Sequence, residues 1–360
     1  MPRPLDNLDK GSIKAWLMED DPHELDCLWK KADEVRCQCV GGDVWLRGLV
    51  EISNNCVRSC AYCGISECAP VPKRYRMTVD EILAAVDRAV TNGFGTVVLQ
   101  SGEDPGITGP WMAGVVKSIK SQTGLAITLS LGERSDDDLH AWREAGADRY
   151  LLRFETSDTR LYRQIHPDLD GRSDRLAQLE RMRDMGYEIG TGIMVGIPGQ
   201  TWDSLADDIW LFRHYAIDMV GLGPYIECPG TALAGGLGRA LKTAAGDNQV
   251  PPDNLTTLKA LALTRLICPY INIPATTALA TIDPYSGRSH GLQRGANVIM
   301  PNITPAEYRA LYQTYPGKAG LHETTDISLA VIEGQIKSIG RTIGRGAGTS
   351  RRLAGESLAT

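Results

Sequence analysis

Short apolar runs alternate with longer amphipathic segments along this chain, and no other sequence feature constrains its fold as strongly. Eight runs are interpreted as strands, at 44–53, 96–100, 126–131, 149–154, 189–195, 218–223, 272–277 and 296–300. The segments between most of them have apolar residues at three- and four-residue spacing, which is typical of α-helices. Such alternation predicts an α/β fold with parallel strands, and eight strands predict a complete (β/α)8 TIM-type barrel. The alternative is an open doubly wound sheet, but no G-x-G-x-x-G follows the first strand.

The regions outside the barrel carry predictions of their own. Helical periodicity in residues 9–40 predicts an N-terminal helical extension over 1–43, before a barrel over 44–318. The segment 230–254 is rich in Gly, Ala and polar residues and predicts an external loop before the seventh strand. Residues 319–360 are predicted to form a C-terminal helix and a flexible tail, because GRGAGTSRRLAGESLAT contains few apolar residues.

Composition narrows the classes of function. The 360 residues carry a net charge of −6 and no run of Lys or Arg precedes the tail, so nucleic-acid binding is not expected. No apolar stretch reaches the roughly 18 residues of a membrane span, and the polar, acidic start lacks the pattern of a signal peptide. The nine cysteines are too irregular for a secreted disulfide scaffold. Together these features predict a protein of the reducing cytoplasm.

Three cysteines follow the first predicted strand, where barrel enzymes place catalytic residues. Cys56, Cys60 and Cys63 form a C-x3-C-x2-C run. Three thiolates can hold a [4Fe–4S] cluster and leave its fourth iron open, and an open metal position is typical of catalysis. The alternative is a structural zinc knuckle or buried thiols, although structural zinc takes four ligands. Cys68 lies beyond Gly64 and is interpreted as a bystander.

The spacing of the three cysteines resembles that of the radical S-adenosylmethionine (SAM) enzymes. Tyr62 supplies the aromatic residue that this family has just before its third cysteine. The resemblance implies that the three cysteines are catalytic cluster ligands and that the open iron binds SAM. It also implies that the enzyme cleaves SAM reductively to a 5′-deoxyadenosyl radical.

The ends of the second and third strands offer further candidates for binding SAM. The second strand ends in Gln100, Ser101, Gly102 and Glu103. A glycine lets the backbone approach a ligand closely, and a similar segment binds the SAM amine in radical SAM enzymes; a plain strand-to-helix turn is the alternative. Ser130 ends the third strand, where it is predicted to face the barrel interior or to cap the following turn.

The fourth and fifth strands carry charged and apolar candidates. Arg153 and Glu155 share one face of a strand, so they either point inward or neutralise each other at the surface. Glu155 is suited to accept hydrogen bonds from ribose hydroxyls, and Arg153 to pair with an anion. Arg175 opens a helix, from which it either reaches the SAM carboxylate or is solvated. Met194 begins a Gly-Ile-Pro-Gly turn that predicts an adenine-binding wall.

The later strands predict a cavity mouth that is polar but poor in charge. Met219 is expected inside the barrel, where methionine is commonly a filler. Thr276 and Thr277 close the seventh strand. Tyr308 and Tyr312 are four residues apart and are predicted to share a helix face. The alternative is that these tyrosines are ordinary core aromatics. His166 receives no role.

Nine phrases between residues 51 and 318 resemble the HydE family of radical SAM maturases of [FeFe]-hydrogenases. They are EISNNCVRSCAYCGIS, VVLQSGEDP, TLSLGE, GADRYLLRFET, GIMVGIPGQT, DMVGLGP, NIPATTA, GANVIMPNITP and YPGK. By matching position, the resemblance implies that Tyr62, Glu155 and Arg175 bind SAM. It implies a substrate cavity lined by Arg47, Ser101, Arg153, Thr276, Thr277, Tyr312 and Tyr315. The expected substrate is a cysteine-bound iron carbonyl/cyanide complex, with other hydrogenase maturases and an electron donor as partners.

One departure from the family keeps other functions open. Many members carry further cysteines after the YPGK segment, whereas this chain has none after Cys268, so a second cluster there is excluded. One alternative is a radical SAM mutase or sulfur-inserting enzyme of the methylornithine synthase or biotin synthase type. Another is a non-catalytic scaffold that carries a metal complex.

Overall fold

The computed structural model describes residues 5–167, 173–321 and 325–354. The strands in these ranges are β1 (Asp43–Ser53), β2 (Thr96–Ser101), β3 (Ala126–Ser130), β4 (Arg149–Leu151), β5 (Glu188–Val195), β6 (Met219–Pro224), β7 (Val298–Ile299) and β8 (Thr342–Ile343). The α-helices are α1 (Lys10–Leu17), α2 (Pro22–Val40), α3 (Val79–Thr91), α4 (Gly109–Gln122), α5 (Asp136–Glu144), α6 (Thr159–Ile165), α7 (Arg175–Asp184), α8 (Trp202–His214), α9 (Gly236–Ala245), α10 (Asn254–Ile267), α11 (Thr277–Ile282), α12 (Gly287–Gln293), α13 (Ala306–Arg309) and α14 (Thr325–Ser338).

The strands form one curled parallel sheet with helices on its outer side. The strand order is β6-β5-β4-β3-β2-β1-β7, and β8 pairs with β1 outside this path. Every pair of named strands runs parallel. The strands are buried nearly along their whole length, as expected where helices cover one face and the opposite face lines an interior. The carboxyl ends of all these strands therefore meet at one end of the molecule.

Local sequence signals explain where the outer helices begin. Thr78 and Thr201 each form a capping box with the residue three positions later, at the starts of α3 and α8. Ser135 and Asp253 accept hydrogen bonds from backbone N–H groups at the starts of α5 and α10. These side chains satisfy N–H groups that a helix leaves without an internal partner. The sequence predictions of α3, α4, α5, α7, α8 and α10 are confirmed.

The predicted N-terminal helices are also present. α1 contacts α8, and both α1 and α2 contact α10, on the outside of the sheet. Trp16 and Leu28 are fully buried in these contacts. Arg36 on α2 donates hydrogen bonds to the carbonyls of Asp43 and Ala296, which links the extension to the sheet. The boundaries at residues 43 and 318 stay predictions.

The predicted barrel is present in part. The first six predicted strands correspond to β1–β6, and the eighth is shortened to β7. The predicted seventh strand forms only isolated parallel bridges, Met219 with Asn272 and Pro274 with Val298. Pro274 has no N–H to donate, which limits the ladder that this segment can make. The architecture is therefore an α/β fold around a curled parallel sheet.

Two segments differ from their prediction. The expected external loop at 230–254 contains α9 and two short 3-10 helices, and Leu241 of α9 is buried. The expected flexible tail does not begin at Gly344, because residues 347–350 are hydrogen-bonded to the sheet. The carbonyl of Ala347 accepts hydrogen bonds from Thr96 and Arg149. The rest of the predicted tail, residues 355–360, lies outside the described residues.

Residues 342–350 cover the amino end of the sheet. The carbonyl of Gly348 accepts hydrogen bonds from Arg47 Nη2 at 3.0 Å and from Asn272 Nδ2 at 2.9 Å. The backbone N–H of Ser350 donates to Glu188. Sequence composition suggested disorder because these residues are small and polar, yet their backbone groups are the acceptors that the buried arginines require. We call residues 342–350 the C-terminal strap.

Candidate functional site

A cavity of about 380 Å³ opens at the carboxyl ends of the strands. Seventeen of the side chains or backbone positions predicted from sequence line it: Cys56, Cys60, Tyr62, Cys63, Gln100, Ser101, Gly102, Glu103, Arg153, Glu155, Arg175, Met194, Met219, Thr276, Thr277, Tyr312 and Tyr315. They come from segments spread over 260 residues of sequence, and the parallel sheet brings them together because nearly all of them lie at or after the carboxyl end of a strand. Met219 is an exception, because it begins β6.

The loop after β1 carries the three cysteines into this cavity. The N–H of Cys63 donates to the carbonyl of Cys60 at 3.3 Å, which forms a tight turn. Backbone N–H groups of Arg58 and Glu103 lie 3.5 and 3.4 Å from the Cys56 sulfur. Gly102 is required where β2 ends, because a Cβ there would lie 2.3 Å from the carbonyl oxygen of Asn55. The loop is thus held closely against the end of β2.

The three cysteines fit a [4Fe–4S] cluster better than a single metal ion. Among the described residues, no group of three His, Cys, Asp or Glu side chains lies close enough to share one ion. In a four-iron cluster each cysteine binds a different iron, so the sulfurs need not converge on one point. Burial raises the pKa of Cys60 to about 12 and also raises the pKa of Cys63. These thiols need the positive charge of bound iron to become thiolates.

Two arginines and two glutamates form a network beside the cysteine loop. Arg58 Nε contacts Glu103 at 2.7 Å, and its Nη2 lies 3.3 Å from Glu133. Glu133 also accepts a hydrogen bond from Arg175 Nε at 2.9 Å. All four side chains are at least four-fifths buried, so these pairs are screened little by water. The network fixes the position of Arg175, which lines the cavity.

His166 supports the same arginine. Its Nε2 lies 2.6 Å from Arg175 Nη2, and its ring stacks on Tyr162 with centroids 5.0 Å apart. A guanidinium is always a donor, so Nε2 accepts and the ring is neutral. Arg175 Nη1 donates to the carbonyl of Arg153 at 2.6 Å. Sequence analysis gave His166 no role, and the structure makes it a support of Arg175.

Arg153 and Glu155 point to the same side and form an ion pair with two hydrogen bonds, at 2.9 and 3.0 Å. Arg153 also donates to the carbonyls of Gly221 and Ile193, at 3.1 and 2.7 Å. Glu155 has a φ of +63°, which is uncommon for any residue but glycine. Such a conformation persists where the surrounding structure enforces it, and it often marks a functional site.

An apolar cluster closes the cavity near Tyr62 and Met194. Both side chains pack against a group of buried residues, Ala61, Leu161, Ile165, Ile197, Tyr225, Leu233 and Leu241. Burial raises the pKa of Tyr62 well above its usual value, so its phenol stays neutral. The carbonyl of Ile165 accepts a hydrogen bond from the N–H of Ala61 at 2.8 Å, which joins α6 to the cysteine loop. This wall is apolar and shielded, as a purine ring requires.

The structure adds a buried ion pair that sequence analysis did not predict. Lys318 contacts Glu51, and both line the cavity with little exposure to solvent. Glu51 also accepts a hydrogen bond from Asn302 Nδ2 at 2.9 Å. The ammonium of Lys318 lies 5.2 Å from the centroid of the Tyr312 ring. The signal for Lys318 was its place in the YPGK phrase, and the signal for Glu51 was its place as the first residue of EISNNCVRSCAYCGIS.

Two predicted residues do not line the cavity. Arg47 is fully buried nearer the amino end, where Nη1 contacts the Met219 sulfur and Nη2 contacts the C-terminal strap. Arg47 precedes Glu51 by four positions on β1, a distance of about 13 Å along a strand. Ser130 pairs in register with Gln100, which lines the cavity. The serine side chain is shorter and does not reach the cavity.

The prediction that two tyrosines share a helix face is also wrong. α13 ends at Arg309, so Tyr308 and Tyr312 do not share a helix face. The phenol of Tyr308 donates to Glu81 at 2.6 Å, away from the cavity, and its ring stacks on Tyr75. Tyr312 lines the cavity and its hydroxyl accepts a hydrogen bond from Gln100 at 3.3 Å.

This fold and this cysteine site define a radical SAM enzyme, and the sequence profile of the Radical SAM superfamily matches residues 50–210. The [FeFe] hydrogenase maturase subunit HydE of Thermotoga maritima is 45% identical to this chain over 341 residues, which cover 95% of this chain and 93% of that protein. The chain therefore belongs to the HydE family within the radical SAM superfamily. Enzymes of this superfamily use a [4Fe–4S] cluster and SAM.

Solved structures agree with the fold. The methylornithine synthase PylB superposes with a TM-score of 0.78 at 26% identity, covering 94% of both chains. The [FeFe]-hydrogenase maturase HydG of Carboxydothermus hydrogenoformans superposes with a TM-score of 0.75 at 19% identity, covering 92% of this chain and 75% of that chain. At that identity HydG supports the fold alone. Among the described residues, no helix is both long and apolar enough to cross a bilayer.

Proposed function

We propose that this enzyme matures [FeFe]-hydrogenase by acting on a small cysteine-bound iron complex with carbonyl and cyanide ligands. The observation that carries the proposal is the convergence, in one cavity, of the cysteine triad with the Arg153–Glu155 and Arg175–Glu133 pairs. The similarity to HydE, named for hydrogenase maturation, covers nearly the whole chain and supports it.

In this proposal Cys56, Cys60 and Cys63 hold the cluster. When bound there, a [4Fe–4S] cluster would supply the electron for the reductive cleavage of SAM to methionine and a 5′-deoxyadenosyl radical. Arg175, fixed by Glu133 and His166, pairs with the SAM carboxylate. The backbone carbonyls of Gln100–Glu103 and the Glu103 carboxylate accept hydrogen bonds from the SAM amine.

The nucleoside end of SAM is assigned to the opposite wall. Glu155 accepts hydrogen bonds from the ribose hydroxyls, because its carboxylate is held toward the cavity by Arg153. Tyr62 and Met194 enclose the adenine with apolar surface. This wall is apolar, so it would shield a reactive organic radical from solvent and oxygen.

The substrate is assigned to the deeper part of the cavity. Thr276 Oγ1 is directed into the sheet end, where it donates to the carbonyl of Leu222 at 3.0 Å. Thr277, Tyr312 and Tyr315 add hydroxyl groups, and Met219 forms an apolar floor. Hydroxyl donors with the guanidinium of Arg153 suit an anionic metal complex with cyanide ligands. Other maturases would supply or receive this complex, and an electron donor would reduce the cluster.

We further propose that the barrel is complete and that the enzyme acts in the cytoplasm. The isolated parallel bridges of Asn272 to Met219 and of Pro274 to Val298 support closure, because they lie between β6 and β7. A cytoplasmic location fits a cluster that oxygen destroys. It also fits the nine cysteines, which are all free thiols.

The test is anaerobic. The cluster is reconstituted, SAM and a strong reductant are added, and 5′-deoxyadenosine is quantified with and without the cysteine-bound iron dicarbonyl cyanide complex. Stimulation by the complex is the expected result. Cleavage without stimulation would point to another substrate, such as the amino acid of a mutase. Absence of cleavage from a well-loaded cluster would favour a scaffold function.

A further inference from the structure

Asp208 is a buried carboxylate that lies behind the cavity rather than in it. It belongs to α8 and is fully buried. One of its oxygens accepts hydrogen bonds from the N–H of Ser157 at 2.5 Å, from the Ser157 hydroxyl at 2.6 Å and from Thr156 Oγ1 at 3.4 Å. The other oxygen accepts from Gln200 Nε2 at 3.1 Å. Among the described residues no cation pairs with Asp208, so its role is to accept hydrogen bonds.

The first set of these bonds holds the turn after β4. Thr156 and Ser157 directly follow Glu155, the residue with a φ of +63°. The N–H of Thr156 donates to the carbonyl of Phe154 at 2.8 Å, which closes a three-residue turn around Glu155. A turn with this backbone conformation is strained and needs to be held from outside. Asp208 holds this turn by accepting hydrogen bonds from Thr156 and Ser157.

The second bond holds the turn after β5. Gln200 Nε2 donates to the carbonyl of Met194 at 3.1 Å as well as to Asp208. Gln200 Oε1 accepts from the N–H of Gly196 at 2.6 Å. The amide therefore has one allowed orientation, because a flip would place its NH2 group against the N–H of Gly196. The contact to Asp208 thus fixes the turn that begins at Met194.

We propose that Asp208 is a positioning residue for the cofactor: it joins the turn that carries Glu155 to the turn that carries Met194, so that the ribose and adenine walls keep one fixed separation. It touches neither SAM nor substrate. The proposal rests on the proposed function in one respect, which is that Glu155 and Met194 contact SAM. The coupling of the two turns does not depend on that assignment.

Asp208→Asn tests the coupling with little change of volume. The new amide has one oxygen that accepts and one NH2 group that only donates, whereas the N–H of Ser157 and the NH2 of Gln200 both require an acceptor. Whichever way the amide turns, one of the two turns loses its partner. Loss of one buried hydrogen bond is expected to raise the KM for SAM roughly tenfold in mildly alkaline buffer. The turnover number should change less, because no reacting group is altered.

Asp218→Asn is the matched control. Asp218 is equally buried, but it lies at the amino end of the sheet, where it accepts hydrogen bonds from Ile189 N and Arg352 Nε. Both variants are expected to unfold at lower temperature, and only Asp208→Asn should raise the KM for SAM. An unchanged KM in Asp208→Asn, with a loss of stability like that of the control, would overturn the proposal.

Hydrogen exchange gives a readout that does not depend on SAM. In Asp208→Asn, amide exchange should rise together in residues 155–158 and 194–200, and Asp218→Asn should leave both segments as in the wild type. Faster exchange in one segment alone would refute the coupling. If the wild type fails to cleave SAM, the proposed function is refuted. Hydrogen exchange then still tests whether Asp208 couples the two turns. Should Asp208→Asn not fold, Ser157→Ala removes only the hydroxyl donor, and it should produce a smaller change of the same kind.

Discussion

At the carboxyl end of the sheet, arginines and carboxylates border an open cavity, whereas at the amino end similar side chains are covered by the C-terminal strap. Arg153 and Glu155 pair at the open end, and the Arg153 side chain remains 31% exposed. Arg149 and Glu188 pair at the covered end, with side chains 2% and 5% exposed. An ion pair of the same type thus borders the cavity at one end and is enclosed within the fold at the other. The difference is that the C-terminal strap covers Arg149, through Ala347 and Thr349, whereas Arg153 stays partly exposed.

The cysteine triad should show the largest effect. Replacing Cys56, Cys60 or Cys63 by Ala is expected to abolish SAM cleavage, because a cluster with two protein ligands is not held with an open iron. The fold should persist, since the loop lies at the cavity and outside the main core. Iron content, 5′-deoxyadenosine and circular dichroism measure these outcomes. Cys68→Ala, at an exposed position outside the cavity, is the control and should retain activity; cleavage surviving in any triad variant would refute the ligand assignment.

Replacing Arg149 or Arg153 by Met tests the comparison of the two ends of the sheet directly. Arg149→Met leaves Glu188 buried without its cation and should lower the free energy of unfolding by about 3–5 kcal/mol. Arg153→Met removes the partner that orients Glu155 and should lower activity roughly a hundredfold with a smaller loss of stability. Urea unfolding and SAM cleavage per loaded cluster would separate the two effects. The comparison would break if Arg149→Met lost activity while remaining stable.

The Lys318–Glu51 pair is an intermediate case, since it lines the cavity but is as buried as the pair at the amino end. Lys318→Met leaves Glu51 with Asn302 as its remaining side-chain donor and should cost about 3 kcal/mol of stability. The double variant Glu51→Gln, Lys318→Met should recover part of that loss, because no unpaired charge remains. A double-mutant cycle in urea measures the recovery, and strictly additive losses would show that the two side chains are not coupled.

A further prediction concerns the pH dependence of stability that Asp208 contributes. Burial raises the pKa of Asp208 to about 7 from its usual 3.8, so between these values the folded state binds more protons than the unfolded state. This group's contribution to stability is therefore greatest at low pH and is lost as the pH rises toward 7. Asp208→Asn should remove that part of the slope, which unfolding at several pH values would detect. A variant with the wild-type slope would contradict the raised pKa.

The sequence predicted the parts of the molecule that follow from local pattern. Strand–helix alternation gave the parallel sheet, and residues at the strand ends met in one cavity because parallel strands share their carboxyl end. The exact height of a residue along its strand was harder to predict. Arg47 has the right alternation to face inward but lies below the cavity, at a depth in the curled sheet that sequence spacing does not reveal.

Other errors arose where long-range contacts override composition. Most of the strap, from Gly344 onward, was predicted to be flexible because it has few apolar residues. Its carbonyls nevertheless accept hydrogen bonds from Thr96, Arg149 and Asn272, which are distant in sequence. The segment 230–254 looked like a loop, but Leu241 finds an apolar cluster beside Leu161 and Ile197. Neither set of partners is visible from a local window of sequence. The predicted seventh strand at 272–277 forms only isolated bridges, because Pro274 has no N–H to donate to a ladder.

The C-terminal strap also has a consequence for the order in which the protein folds. Arg47 and Gly348 are hydrogen-bonded although 301 positions separate them in the chain. Contacts over such separations form late, since the entropy of closing a long loop must be overcome first. Until the C-terminal strap packs, Arg47 lacks the carbonyl of Gly348 as its acceptor. Covering of the amino end of the sheet is therefore expected to be a late step of folding.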